Sequence, residues 1–200
     1  GQDERLLDFS QLRQLTRSFL GLYETHAGRP FPQDAREQLS GAIEAVFASW
    51  NADKAVQYRR IHQIDHDMGT AVILQRMVFG NTGGHSGAGV GFTRDPGTGE
   101  PRLWVDFLAN AQGEDVVSGR RNAHGHATLA AVAPDAWKQL QASAQALEQH
   151  FGDMQDFEFT VQDGVLHMLQ TRSAKRTPLA AARIALDLLD EGLIDSAEAL

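Results

Sequence analysis

Cysteine is absent from the sequence, and this absence narrows the chemistry that the chain supports. Without thiols there is no disulfide framework, zinc–thiolate site or cysteine nucleophile. Long apolar runs are also missing, since none approaches the roughly 18 residues that span a membrane. The first residues, GQDERLLDFS, lack the basic start and apolar centre of a signal peptide. We therefore expect a soluble, cytoplasmic protein with no membrane partner.

Basic residues are few relative to acidic ones. The 18 Lys and Arg residues stand against 26 Asp and Glu residues, which gives a formal net charge of −8 with neutral His. A chain this acidic is poorly suited to the phosphate backbone of nucleic acids, so we expect no nucleic-acid partner. A nucleotide is still compatible with this charge, because a metal ion neutralises carboxylates and phosphates together. The length of 200 residues, of which 42% are hydrophobic, is typical of one globular domain or slightly more.

Helical patterns fill the first third of the chain. Apolar residues at spacings of three and four predict a helix over residues 12–22, and Asp34 is a candidate N-cap for a second helix. A third helix is predicted to begin at Asn51 or Asp53.

After Gly69 the pattern changes to that of strands. The β-forming run TAVILQRMVFG predicts a strand over residues 70–80, followed by a glycine-dense stretch. Further elements are predicted in the order strand, strand, helix, strand, strand and helix, at residues 88–93, 103–108, 134–151, 156–162, 165–172 and 179–189. Helices followed by a mostly antiparallel sheet indicate an α+β fold.

The last two predicted strands carry the polar residues of most interest. On the first of them, Asp156 and Glu158 share one face and aromatic side chains share the other. A two-residue Asp-Gly turn would place Glu158 opposite Leu169 and would turn Gln170 away from the carboxylates. A three-residue loop over residues 162–164 places Asp156 opposite Gln170, and we predict that loop.

In the predicted register, two carboxylates, an amide and an arginine meet on one patch. Oxygen ligands of this kind suit Mg²⁺, and Arg172 suits a phosphate. From the residues alone, a surface ladder of salt bridges is the competing interpretation.

Several longer segments resemble one family. The strings MVFGNTGGHSGAGVGFTRDPGTGE, DFLANAQGEDVVSG, DMQDFEFT and MLQTRSAKRT are similar to the N-terminal nucleotide-binding region of the pyruvate, phosphate dikinase family, which has an ATP-grasp-like fold. The resemblance extends over nearly the whole chain. It implies a helical subdomain at 1–32, helices and a strand at the base of a nucleotide cleft at 33–79, an ATP-grasp lobe at 80–175, and a helix at 176–200 that leads to a following domain.

The resemblance also implies roles for individual residues. Glu158 and Gln170 match the pair that binds Mg²⁺, the one cofactor we expect, and Arg172 and Asp156 match catalytic residues of the same site. The positions implied to contact ATP are Gln75, Arg76, Met77, Gly89 in a loop near the phosphates, Asp106, Glu114, Asp156 and Arg172.

The implied reaction converts ATP, phosphate and pyruvate into AMP, pyrophosphate and phosphoenolpyruvate through a phosphohistidine on another domain. We therefore expect this chain to bind Mg-ATP and phosphate as part of a phosphotransferase, and to be inactive alone. Its expected partners are the phosphohistidine and pyruvate-binding domains, and the full-length enzyme is a candidate homodimer.

Three alternatives are open at this point. The first is a phosphoenolpyruvate synthase-type ATP domain, which would use water as the acceptor in place of phosphate. The second is a non-catalytic nucleotide-binding remnant. The third makes His85 a phosphocarrier, because it follows two glycines as a phosphohistidine signature does, although the order of the signature is lost here.

Overall fold

A computed structural model describes residues 7–117 and 125–199 and divides the chain into two compact units, with the boundary between Gln75 and Arg76. The described residues form an α+β fold with seven α-helices and one four-stranded antiparallel sheet, as the sequence predicts. This architecture is consistent with an ATP-grasp-like lobe. The division into four segments stays a prediction.

The first unit is helical. Its helices are α1 (Phe9–Ala27), α2 (Ala35–Ser49) and α3 (Asp53–Ile61), followed by a short 3-10 helix at His66–Met68. All three predicted helices are confirmed. The N-termini of α1 and α2 are set by side chains, since Asp8 Oδ1 accepts from Gln11 N–H at 2.8 Å and Asp34 Oδ1 accepts from Arg36 N–H at 2.9 Å.

The strand predicted over residues 70–80 is wrong. No strand is assigned to this segment within the described residues, and Ile73 and Met77 are 87% and 65% exposed. A strand requires a hydrogen-bonded neighbour whatever its own propensity. The segment's Phe79 N–H donates instead to the Gln162 side chain at 2.8 Å.

The second unit is built on the sheet. Its strands are β1 (Gly87–Phe92), β2 (Trp104–Ala109), β3 (Gln155–Gln162) and β4 (Val165–Ser173), in the order β2-β1-β3-β4. Its helices are α4 (Gly113–Val117), α5 (Gly125–Val132), α6 (Pro134–Phe151) and α7 (Pro178–Asp190). No helix in the described ranges combines the length and the apolar character that crossing a bilayer requires.

One face of the sheet is closed by α5 and α6. Phe107, Phe157 and Phe159 from the strands are at most 1% exposed and form one cluster with Leu129 and Leu140 from the helices. Burying rings of this size provides the main apolar stabilisation of the unit. The opposite face is therefore the one on which polar side chains can meet.

Glycines in β1 make room for these rings. A Cβ atom on Gly89 would lie 2.4 Å from Phe159 Cζ, and one on Gly91 would lie 2.6 Å from Phe157 Cζ. Gly89 thus lies inside a strand, and its expected place in a loop is wrong. Its assignment to the ATP site stays a prediction.

Arg94, just beyond β1, joins the sheet to two helices. It is 2% exposed, and its Nη2 lies 2.7 Å from Glu148 and 2.8 Å from Glu191, while Nη1 lies 3.6 Å from Asp187. Burial alone would lower the pKa of Arg94, but its hydrogen bonds and charge attraction to Glu148 and Glu191 outweigh burial and raise it. These contacts connect β1 to α6 and α7.

The turn between β3 and β4 differs from the predicted one. Gln162 pairs with Val165, so the loop is the two residues Asp163 and Gly164, whose φ angles are +52° and +82°. Positive φ at both positions is typical of a type I′ hairpin turn. The predicted three-residue loop is wrong.

A β-bulge on β4 changes the register farther along the hairpin. Phe159 pairs with Met168, but Glu158 pairs with Gln170, so Leu169 is an extra residue. Asp156 consequently lies opposite Arg172, whereas the prediction placed it opposite Gln170. The expected meeting of Gln170 with the carboxylates on one face is nevertheless confirmed, because the bulge restores what the shorter turn would have removed.

Substituting Gly89 tests the role of the glycines in the core. We expect Gly89→Ala to lower the free energy of unfolding by ~1–3 kcal/mol, because the methyl group overlaps the Phe159 ring. Gly84→Ala is the matched control, since nothing lies within 4 Å of its Cβ position. Urea unfolding measures both, and equal midpoints for the two variants would contradict this packing.

Removing the Arg94 guanidinium tests the connection between β1 and the helices. Arg94→Met should lower the free energy of unfolding by about 3 kcal/mol, since it leaves Glu148 partly buried without its cation. Lys138→Met removes the exposed pair with Asp135 and should change stability by less than about 0.5 kcal/mol. Thermal unfolding measures both variants. If Arg94→Met loses no more stability than Lys138→Met, the proposed connection is refuted.

Candidate functional site

A row of four residues crosses the open face of the sheet. Asp106 on β2 lies opposite Val90 on β1, Val90 lies opposite Glu158 on β3, and Glu158 lies opposite Gln170 on β4. With adjacent strands about 4.8 Å apart, the row spans about 14 Å. Register alone therefore places Asp106, Glu158 and Gln170 on one line, which we call the polar row.

The neighbouring row adds an ion pair. Asp156 lies opposite Arg172, and Arg172 Nε donates to Asp156 Oδ2 at 2.7 Å. The Asp156 side chain is only 14% exposed, whereas that of Arg172 is 66% exposed. The carboxylate thus holds the guanidinium at Nε, while the rest of the guanidinium is exposed to solvent.

Hydrogen bonding and charge attraction from Asp156, together with the charge of Glu158, raise the pKa of Arg172. The three carboxylates of Asp106, Asp156 and Glu158 outweigh this one guanidinium, for a formal net charge of −2. The face is therefore arranged to attract a cation and keeps one fixed positive group at its side.

Glu158 and Gln170 supply the oxygen donors that suit Mg²⁺. Gln170 Nε2 donates to Glu158 Oε1 at 2.8 Å, so the two side-chain ends already touch. A half-turn of the carboxamide would direct its oxygen to an ion held by Glu158. Within the described residues no three His, Cys, Asp or Glu side chains cluster closely enough to hold a metal by themselves. An ion here would take its other ligands from water and phosphate, as Mg²⁺ commonly does.

The glycine-rich loop, residues 80–86, is tied to the hairpin turn. Gly164 N–H donates to His85 O at 2.9 Å, Asp163 N–H donates to Ser86 Oγ at 2.9 Å, and Thr82 Oγ1 donates to Asp163 Oδ1 at 3.1 Å. The loop thus lies at the turn end of the hairpin. The His85 ring contacts Val132 O through Nδ1 at 3.0 Å. Nothing in this geometry favours the alternative in which His85 is a phosphocarrier.

The remaining residues that are expected to contact ATP lie outside the polar row. Gln75, Arg76 and Met77 are exposed in the segment over residues 70–80, which forms no strand, so the strand expected to border the adenine is not formed. Glu114 is exposed on α4, which packs against β1 and β2. The contact of all four with a nucleotide stays a prediction.

The sequence analysis missed two groups beside the row. Phe92 and Trp104 are half-buried in the row of Asp156, with ring centroids 5.5 Å apart. His167 lies opposite Thr160, one row toward the turn. The alternation of side chains along β1 and β2 puts both rings on the open face and could have identified them. The two-residue turn puts His167 opposite Thr160 and could have identified it.

Comparisons with known proteins point to one family. The family model described as "Pyruvate phosphate dikinase, AMP/ATP-binding domain" matches residues 13–126 and 124–192. Pyruvate, phosphate dikinase of Clostridium symbiosum is 49% identical over 97% of this chain, and the chloroplastic enzyme of Mesembryanthemum crystallinum is 47% identical over 97%. The enzyme of Rhizobium meliloti is 49% identical over 86%.

This chain covers only 22%, 20% and 21% of those three relatives, respectively. The name of the Mesembryanthemum crystallinum enzyme includes the chloroplast, so the expected cytoplasmic location stays a prediction. The family match covers far more than half of the chain and includes all four strands of the sheet. The chain therefore belongs to the pyruvate phosphate dikinase AMP/ATP-binding domain family.

Proposed function

We propose that this chain binds Mg-ATP on the open face of its sheet, with the phosphates over the polar row. The observation that carries this proposal is the direct pairing of Glu158 with Gln170 beside the Asp156–Arg172 ion pair. These groups combine oxygen ligands for a metal with a guanidinium for a phosphate. A site that binds a metal-bound nucleoside triphosphate needs both.

Each side chain has a separate task in this proposal. Glu158 and Gln170 hold the cation, which when bound neutralises charge on the phosphates. Arg172 donates hydrogen bonds to a phosphate oxygen, and Asp156 keeps the guanidinium oriented so that little side-chain freedom is lost on binding. Asp106 adds negative charge at the far end of the row and strengthens the attraction for the cation.

The wider activity follows the relatives. We propose that the whole protein is a pyruvate, phosphate dikinase, which transfers phosphoryl groups from ATP to phosphate and pyruvate by way of a histidine on another domain. Phosphoryl transfer needs positioning and charge stabilisation more than covalent help from the protein, and the polar row supplies both. All three relatives described above are dikinases, which favours phosphate over water as acceptor.

Calorimetric titration with Mg-ATP tests the binding site. Glu158→Gln and Arg172→Ala should each weaken binding at least tenfold, since each removes a charge that contacts the metal or a phosphate. Arg102→Ala is the control, because Arg102 is 68% exposed and also pairs with one aspartate, but lies outside the polar row. Omitting Mg²⁺ should weaken binding to the parent chain as well. Equal affinities for the parent and both site variants would refute the proposed site.

The isolated chain should not catalyse the dikinase reaction. We expect no phosphoenolpyruvate from ATP, phosphate and pyruvate, because the chain covers about a fifth of its relatives and the proposed histidine and pyruvate domains lie elsewhere. A coupled assay of phosphoenolpyruvate formation measures this. Turnover that survives removal of contaminating enzyme, and that is lost in Glu158→Gln, would contradict this expectation.

A further inference from the structure

The polar row depends on a part of β4 whose register is weakly specified. Leu166 and Met168 pack on the core, but the residues that follow Leu169, over 170–173, are all polar. Where no apolar side chain anchors one face, a strand can slip by one residue and exchange its faces. On the open face, Gln170 bonds to Glu158 and Arg172 bonds to Asp156, and both contacts need the observed register. A contact on the core side can add to them.

Two registers can be compared directly. In the observed, bulged register, Thr171 lies opposite Phe157 on the core-facing side, and its Oγ1 donates to Gln155 Oε1 at 3.0 Å. If the two-residue turn continued without a bulge, Thr171 would lie opposite Asp156 on the open face. Gln170 and Arg172 would then point to the core side. The Thr171–Gln155 hydrogen bond is therefore compatible only with the bulged register.

Gln155 is a rigid acceptor for this bond. It is 1% exposed, and its Nε2 donates to the backbone oxygens of Asp153 and Met154 at 3.2 and 3.3 Å. Its backbone N–H donates to Thr93 Oγ1 at 3.0 Å. Because the amide is held on its other sides, Oε1 faces Thr171, and loss of that hydroxyl would remove a buried hydrogen bond.

We propose that the Thr171–Gln155 hydrogen bond is a positioning contact that selects the bulged register of β4. By selecting that register, it holds Gln170 and Arg172 on the open face. Its effect on nucleotide affinity rests on the proposed function, whereas its effect on register does not. Both residues lie on the side of the sheet away from the polar row, so neither touches the nucleotide.

The experiment measures register and affinity separately in the 200-residue chain. Cross-strand NOEs from Asp156 reach Arg172 in the bulged register and residue 171 in the slipped one. Thr171→Val, which keeps the shape but removes the hydroxyl, should shift the Asp156 NOEs from Arg172 toward residue 171 and raise the Kd for Mg-ATP about tenfold. Thr171→Ser retains the hydroxyl and should restore both readouts to within about twofold. If Thr171→Val fails to fold, Gln155→Met, which removes the acceptor, is measured in its place.

Thr93→Val is the matched control. It also removes a hydroxyl that bonds Gln155 N–H, together with a 2.7 Å bond to Glu148, but neither bond depends on the register of β4. We expect it to lower stability while the NOEs and the Kd stay unchanged. A rise in Kd as large as that of Thr171→Val would show that general destabilisation explains the effect and would overturn the proposal.

The remaining outcomes are also decisive. Thr171→Val with unchanged NOEs overturns the proposal, whether or not its Kd rises. Shifted NOEs with an unchanged Kd overturn the link from register to nucleotide binding. If the parent chain does not bind Mg-ATP, the proposed function fails, and the NOEs alone decide the claim about register. A shift of the Asp156 NOEs toward residue 171 supports the claim, and no shift overturns it.

Discussion

The extra residue in β4 is the constraint on which the site depends. A two-residue turn fixes Gln162 opposite Val165, and from that point an unbroken hairpin would direct Gln170 and Arg172 toward the core. The bulge at Leu169 absorbs one residue, so that Glu158 meets Gln170 and Asp156 meets Arg172 on the other face. Both contacts that define the candidate site are consequences of this local irregularity.

The two faces of the sheet divide the work between stability and binding. Phenylalanine rings from β2 and β3 fill the face under α5 and α6, and glycines on β1 let those rings approach the backbone. Because apolar burial on that side stabilises the sheet, the open side can carry Asp156, which pairs with Arg172, and Glu158, which accepts from Gln170.

Local signals in the sequence predicted much of this architecture. The helix starting after Asp34 and the alternation of Phe157 and Glu158 each depend on near neighbours, and the structure bears them out. Two features depend on distant partners and were missed. The run at 70–80 has strand propensity but forms no strand within the described residues, and the bulge reflects pairing across the whole hairpin. The shared face of Glu158 and Gln170 was nevertheless predicted, through the wrong turn, because the polar residues of both strands favour meeting there.

The central claim is that a metal-bound nucleotide lies over the polar row, and paramagnetic broadening tests it most directly. Mn²⁺ replaces Mg²⁺ with ATP, and the backbone amide signals of the isotope-labelled chain are recorded as the complex is added. The account predicts broadening strongest at Glu158 and Gln170, weaker at Asp106, and abolished in Glu158→Gln. Broadening centred on the helices of the first unit, with the signals of Glu158 and Gln170 unaffected, would contradict it.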